Sequence, residues 1–157
     1  MKSKREMMNT PPEYDKKKNS QRLRDGLRGH VEMVAGRGRA KYPSMEKLDE
    51  LMQLIGDPEI VRFPTTIVFT GDDSTPDEAV KVERDHDALD ESYIITLDKN
   101  FREREADAVM LALYVIVNIN YGKIAKKEEA EDFASILLGI PREDYSRKVE
   151  ALKNELQ

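Results

Sequence analysis

Apolar residues recur at the three- and four-residue spacing of an amphipathic helix in four segments beyond residue 43. The helices predicted from this pattern cover residues 44–55, 103–120, 127–138 and 141–156. Gly56 and Gly139 follow two of them, as is usual at helix C-termini, and Pro141 suits the first turn of the last. Residues 103–120 differ because their apolar side chains lie nearly all round, which predicts a helix buried on most faces.

Three shorter segments are rich in β-branched and aromatic residues and predict strands: Ile60 to Thr70, Ala79 to Glu83 and Ser92 to Leu97. The first ends in the turn sequence Gly71-Asp72-Asp73, and the second has the polar character of an edge strand. The predicted fold class is therefore α+β. We expect a small, mostly antiparallel sheet of about three strands, packed by about four helices.

Charge is distributed unevenly along the chain. Residues 1–42 contain twelve Lys and Arg against five Asp and Glu, whereas residues 43–157 contain fourteen against twenty-six. This split predicts a basic N-terminal arm over residues 1–42, partly disordered, with a helix over residues 20–34 and a flexible hinge at Gly36–Arg39. An acidic globular domain is predicted over residues 43–157.

A basic arm of this kind neutralises phosphates or contacts an acidic protein surface, and it gains affinity from nucleic acid by counterion release. The candidate contact residues are Arg22, Arg24, Arg28, Arg37 and Arg39. The alternative is a solubilising tail that lies on the acidic domain of the same chain. Both interpretations predict electrostatic interactions that weaken with salt.

The residue types that usually indicate catalysis are scarce. The chain has no cysteine, which excludes disulfides and Cys-bound metal and suits a reducing compartment, so we expect a cytoplasmic protein. No apolar stretch follows the basic residues at the N-terminus, so no signal peptide is expected. The longest apolar run, Ala108 to Val117, is ten residues and predicts a buried helix rather than a membrane span. No cofactor is predicted.

Two acidic segments are candidates for binding a cation. Residues 72–78 contain four carboxylates, but they lack the spacing of a calcium loop and also read as a solvated turn with a helix cap at Thr75. Asp85, His86 and Asp87 would supply one imidazole and two carboxylates to a metal or to proton transfer. The alternative for these three residues is an exposed polar loop.

The order of the strand SYIITL, a hydrophobic helix and the segment EEAEDFASILLGIP resembles zincin-type metallopeptidases, especially the family that cleaves phage and stress-response repressors. In that family the hydrophobic helix carries H-E-x-x-H, and the next helix supplies a third zinc ligand. Matched over residues 92–141, the resemblance places Tyr114 and Asn118 at the two histidines, Val115 at the general base and Glu129 at the third ligand. Because Tyr, Val and Asn cannot do this chemistry, the resemblance implies a degenerate, non-catalytic relative.

Three functions follow as hypotheses. The first is a non-enzymatic macromolecule-binding or adaptor protein, with the basic arm contacting nucleic acid or a protein partner. The second is a metal-dependent hydrolase with an atypical site drawn from Asp85, His86, Asp87 and Glu129. The third is a structural homo-oligomer, in which the Ala108–Val117 helix and the Leu-rich helix after Ser44 help to form a dimer.

Overall fold

The computed structural model describes residues 12–71 and 78–156, with side chains described from Lys18 onward. It divides the chain into two compact units, Met1–His30 and Val31–Gln157. Of the acidic segment 72–78, only Glu78 lies within the described residues, so the predicted cation loop and helix cap lie outside them.

Five α-helices and three strands make up the described part of the chain, which confirms the α+β class. The helices are α1 (Pro12–Lys41), α2 (Leu48–Ile55), α3 (Glu105–Tyr121), α4 (Lys127–Leu138) and α5 (Arg142–Asn154). The strands are β1 (Thr65–Phe69), β2 (Val80–Arg84) and β3 (Tyr93–Leu97). Short 3₁₀ turns at Lys99–Phe101 and Gly122–Ile124 stand on either side of α3.

The sheet is mixed, with the strand order β1-β3-β2. β2 pairs antiparallel with β3, whereas β1 pairs parallel with it, so the expectation of a mostly antiparallel sheet holds for one pairing and is wrong for the other. β2 carries three charged residues that favour solvent, and its predicted place at an edge is confirmed. β3 has no charged residue and buries Ile95 and Leu97 at the centre of the sheet.

β1 is shorter than the strand predicted over Ile60 to Thr70 because residues 60–64 form turns. The N–H groups of Ile60 and Val61 both donate to the carbonyl of Asp57. Asn120 then takes the backbone groups that a strand would use: its side chain donates to the Ile60 carbonyl and accepts from the Arg62 N–H, each at 2.8 Å. Side-chain competition for the backbone therefore delays the start of the strand to Thr65.

α3 is the core of the second unit. It packs against α2, α4, α5, β2 and β3, and ten of its residues are buried. Tyr145 of α5 is buried against it and donates its hydroxyl to the Met110 carbonyl at 2.7 Å, and burial raises the pKa of this phenol well above its usual value. The stretch Glu105–Ile124 is the one described helix with the length and composition to cross a membrane. Here that stretch is the central helix of the fold.

The burial of α3 also bears on the dimer predicted from Ala108–Val117. Eight of these ten residues are buried within a single chain, as the core already surrounds them. In α2, Leu51, Leu54 and Ile55 are likewise buried, which leaves Met52 exposed. An interface between copies would therefore need another surface.

α1 is longer than the helix predicted for residues 20–34, and the hinge predicted for Gly36–Arg39 is helical. Its residues beyond His30 pack into the second unit, where three apolar side chains are buried: Val31, Val34 and Ala35. Gly38 permits close contact, since a Cβ there would lie 3.0 Å from Leu137 Cδ1. Tertiary packing thus outweighs the low helix propensity of glycine, and the compact units divide between residues 30 and 31.

We expect Asn120→Ala to lower the free energy of unfolding by about 2–4 kcal/mol, because it leaves the part-buried Arg62 N–H and the buried Ile60 carbonyl without their partner. Urea denaturation of the full chain measures this. Asn118→Ala is the matched control: the half-buried Asn118 donates to the carbonyls of Gly122 and Ala125 at 3.3 and 3.4 Å, so its loss should cost less than about 1 kcal/mol. Equal losses for the two variants would contradict this role of Asn120.

Candidate functional site

The basic side chains of the first unit lie on a helix that is largely exposed. From Lys18 to His30, every described side chain is exposed except Arg24 and Leu27, which are half-buried. Leu23 is 75% exposed. Gln21 Nε2 donates to Asp25 Oδ1 at 2.9 Å, one turn further along the helix.

Helical spacing places the basic and the apolar side chains on separate faces of the helix. Lys18 with Arg22, and Arg24 with Arg28, are four residues apart, and each pair therefore shares a face. Leu23 and Leu27 are also four apart and lie on a separate face. The segment presents four cations over about 15 Å of helix, at about 1.5 Å per residue, beside an apolar stripe.

Arg37 and Arg39 belong to the second unit and differ in their surroundings. Arg37 is exposed. Arg39 Nη1 donates to the carbonyl of Pro43 at 2.9 Å and to that of Leu138, the last residue of α4, at 3.3 Å. Arg39 therefore has a structural role that sequence reasoning did not anticipate, and the neighbouring Lys41 is held by Asp57 and Glu59 at 3.0 and 2.6 Å.

Gly139 makes the contact between Arg39 and α4 possible. It adopts a left-handed conformation, with φ 71°, and its N–H donates to the Ile136 carbonyl while Ile140 N–H donates to that of Ser135. These are the two hydrogen bonds of a Schellman motif. Arg39 in turn donates to the carbonyl of Leu138. A Cβ at residue 139 would lie 2.8 Å from the Arg39 guanidinium carbon.

The three positions matched to zincin ligands are engaged in holding the backbone or packing. Asn118 binds the carbonyls of the turn between α3 and α4, as described above. Glu129 is buried, and its Oε1 accepts from the Lys126 N–H at 3.0 Å at the start of α4. The Tyr114 ring lies 4.7 Å from Lys153 Nζ, and burial followed by the charge of Glu131 raises the pKa of its phenol.

Asp85, His86 and Asp87 form the turn that connects β2 to β3. Asp85 is half-buried and its Oδ1 accepts from the Asp87 N–H at 3.1 Å, while His86 and Asp87 are exposed. This is the geometry of an Asx turn, which explains the residue types without a ligand. Among the side chains that the structure describes, those of residues 18–71 and 78–156, no three His, Asp or Glu side chains are grouped to hold a metal ion.

Buried charge is found instead between α4 and α5. Glu131 and Asp132 have side chains only 5% and 10% exposed, and both face Arg142 of α5. Arg142 Nη2 lies 3.4 Å from Glu131 Oε1, and Nη1 lies 3.2 Å from Asp132 Oδ1. One arginine therefore pairs with two carboxylates, which ties the two helices together.

The second unit also contains a cleft of about 460 Å³ that sequence reasoning missed. Its volume lies within the range of small-molecule sites, about 300–1,000 Å³, and its lining is mainly apolar. The lining residues are Arg39, Pro43, Ser44, Met45, Glu46, Ala106, Met110, Leu138 and Ile140. They come from four separate segments of the chain, so no local motif could have indicated them.

Comparison of the chain with protein-family models, with curated proteins and with solved structures finds no match. The zincin resemblance therefore stays a prediction that rests on the sequence pattern alone. A proposal of function therefore rests on the charge, exposure and geometry of the described residues.

We expect Gly139→Ala to destabilise the protein by about 2–3 kcal/mol, because alanine is strained in the left-handed region and its Cβ would displace Arg39. In an Arg39→Ala background the same change should cost about 1 kcal/mol less, since the displaced group is absent. Thermal and urea unfolding of the four chains of this cycle measure both terms. Gly26→Ala is the control: nothing lies within 4 Å of a Cβ there, and alanine should leave the helix unchanged or stabilise it.

Proposed function

We propose that this chain is a non-enzymatic macromolecule-binding protein whose basic N-terminal segment, residues 1–30, contacts nucleic acid. The observation that carries the proposal is a helix with exposed Lys18, Arg22 and Arg28 and half-buried Arg24, in a segment of net charge +5 attached to a unit of net charge −10. Arginine donates several hydrogen bonds in a fixed plane, which suits phosphate. Arg37 is an additional candidate contact in the second unit, while Arg39 contributes mainly to the end of α4.

The electrostatics favour contact with a polyanion through the basic segment rather than through the acidic unit. Phosphate contacts of this kind give affinity without reading sequence, because the cations displace condensed counterions. We therefore infer weak, salt-sensitive binding with little sequence preference. With no cysteine in the sequence, the cytoplasm is the compartment we propose.

A protein partner is the second candidate, and the exposure of Leu23 favours it. Leu23 and Leu27 lie four residues apart on one face of α1, flanked by cations, which is the pattern of an amphipathic helix that binds in the groove of a partner. In this proposal the protein is an adaptor, and a degenerate zincin-like domain would serve as its scaffold.

We expect the triple variant Arg22→Ala, Arg24→Ala, Arg28→Ala to weaken binding of a fluorescent DNA or RNA oligonucleotide, because each arginine removed loses about one phosphate contact. The slope of log affinity against log salt should fall by roughly 2–3. Fluorescence anisotropy at several salt concentrations measures both quantities on the full chain.

The matched control removes three exposed cations of the second unit, with Lys81→Ala, Lys123→Ala and Arg147→Ala. It changes the net charge equally and should leave the affinity and its salt slope nearly unchanged. Equal losses in both triple variants would show a non-specific charge effect, and absence of binding by the natural chain at low salt would refute the nucleic-acid proposal.

The two candidate partners are separated by a photoreactive residue in place of Leu23. If the apolar face binds a protein, irradiation of cells that express the full chain should yield protein adducts from this position and few nucleic-acid adducts. If the segment binds nucleic acid through its cations, nucleic-acid adducts should dominate. Isolation of the adducts with and without nuclease treatment distinguishes the two outcomes.

A further inference from the structure

The two edges of the sheet differ in chemical character. The outer strand β2 exposes Lys81, Glu83 and Arg84. The other outer strand, β1, has the sequence Thr-Thr-Ile-Val-Phe and no charged residue, and its Val68 is 40% exposed. Natural sheets protect an edge with charges, proline or a covering element, because unpaired backbone groups there pair readily with another strand. β2 has this protection in its charges, and β1 has the composition of a central strand.

The pairing of β1 with β3 shows which backbone groups lie on its open side. Tyr93 N–H donates to the Pro64 carbonyl and Thr70 N–H donates to the Leu97 carbonyl, each at 2.9 Å. Because hydrogen-bonding residues alternate along a strand, Thr66 and Val68 also face β3. The alternate residues are Thr65, Ile67 and Phe69, and their backbone N–H and C=O groups point outward. Within the described residues these groups have no hydrogen-bond partner.

These outward groups are arranged symmetrically about Ile67. If a second β1 approaches antiparallel about a two-fold axis at Ile67, then Ile67 pairs with the partner's Ile67, and Thr65 pairs with the partner's Phe69. All of these are hydrogen-bonded pairs, so every outward N–H and C=O finds an acceptor or donor. On the solvent face, Val68 lies opposite the partner's Thr66, a pairing of two β-branched side chains.

We propose that two copies of this chain associate through antiparallel pairing of their β1 strands, which joins the two sheets into one. The occupant is a second copy because the open edge is self-complementary in hydrogen bonding and β1 itself has no charged residue. The Arg102 guanidinium lies over the Phe69 ring at the end of the strand. Residues 31–157 carry seventeen Lys and Arg against twenty-seven Asp and Glu, so two such units repel each other. The uncharged edge is where they approach with least repulsion. This inference goes beyond the proposed function and does not rest on it.

The test uses two variants with opposite charges on the exposed face of β1. Thr66→Lys with Val68→Lys places a lysine opposite each lysine of the partner strand in the paired state, and Thr66→Glu with Val68→Glu does the same with carboxylates. Each variant alone should dimerise at least about tenfold more weakly than the natural chain, because like charges face each other. An equimolar mixture should recover the dimer, since lysine then faces glutamate. Sedimentation over a wide concentration range measures the association.

Glu83→Lys on β2 is the matched control. It changes the net charge by the same amount as the double lysine variant but lies on the protected edge, so the dimer should be retained. Circular dichroism of each variant establishes that it folds. A natural chain that stays monomeric at every concentration, a lysine variant that dimerises as tightly as the natural chain, or a mixture of folded variants that stays monomeric would overturn the proposal. None of these outcomes depends on nucleic-acid binding, so the two proposals fail separately.

Discussion

Burial of α3 is the constraint on which the rest of the second unit depends. Its apolar side chains cover nearly every face, so it is stable only when other elements surround it, and two strands and three helices do so. The polar groups near its ends then fasten those neighbours. Glu105 Oε1 accepts from the Leu48 N–H of α2 at 3.1 Å, and Asn120 holds the residues that precede β1. The same helix therefore supplies the core and sets where the surrounding elements begin and end.

Charge pairing within the acidic unit explains why its cations are poor candidates for binding. Arg104 of the α3 N-terminus forms two hydrogen bonds to Glu155, at 2.7 and 3.0 Å, and these lower the pKa of that carboxyl. Arg142 and Lys41 are each shared between two carboxylates, and Arg39 caps α4. Such cations hold the fold together at little net charge.

Two features of the chain have no evident use in stabilising a single copy. One is the exposed face of α1 with Leu23, and the other is the uncharged edge of β1. The open edge of β1 exposes backbone hydrogen-bonding groups that natural sheets usually protect. The two proposed contacts, with a macromolecule through α1 and with a second copy through β1, differ in chemistry.

The sequence by itself determined the number and place of most elements, because hydrophobic periodicity, Gly139 and Pro141 act locally: α4 was predicted to the residue, and α3 and α5 nearly so. It also determined the charge asymmetry on which the binding proposal rests. The structure alone decided the helical state of Gly36–Arg39, the late start of β1, the parallel pairing of β1 with β3, and the roles of Arg39, Asn118 and Glu129. Each of these depends on a partner distant in sequence, such as Leu137 beside Gly38 or Asn120 beside Ile60, and residue type does not encode such contacts.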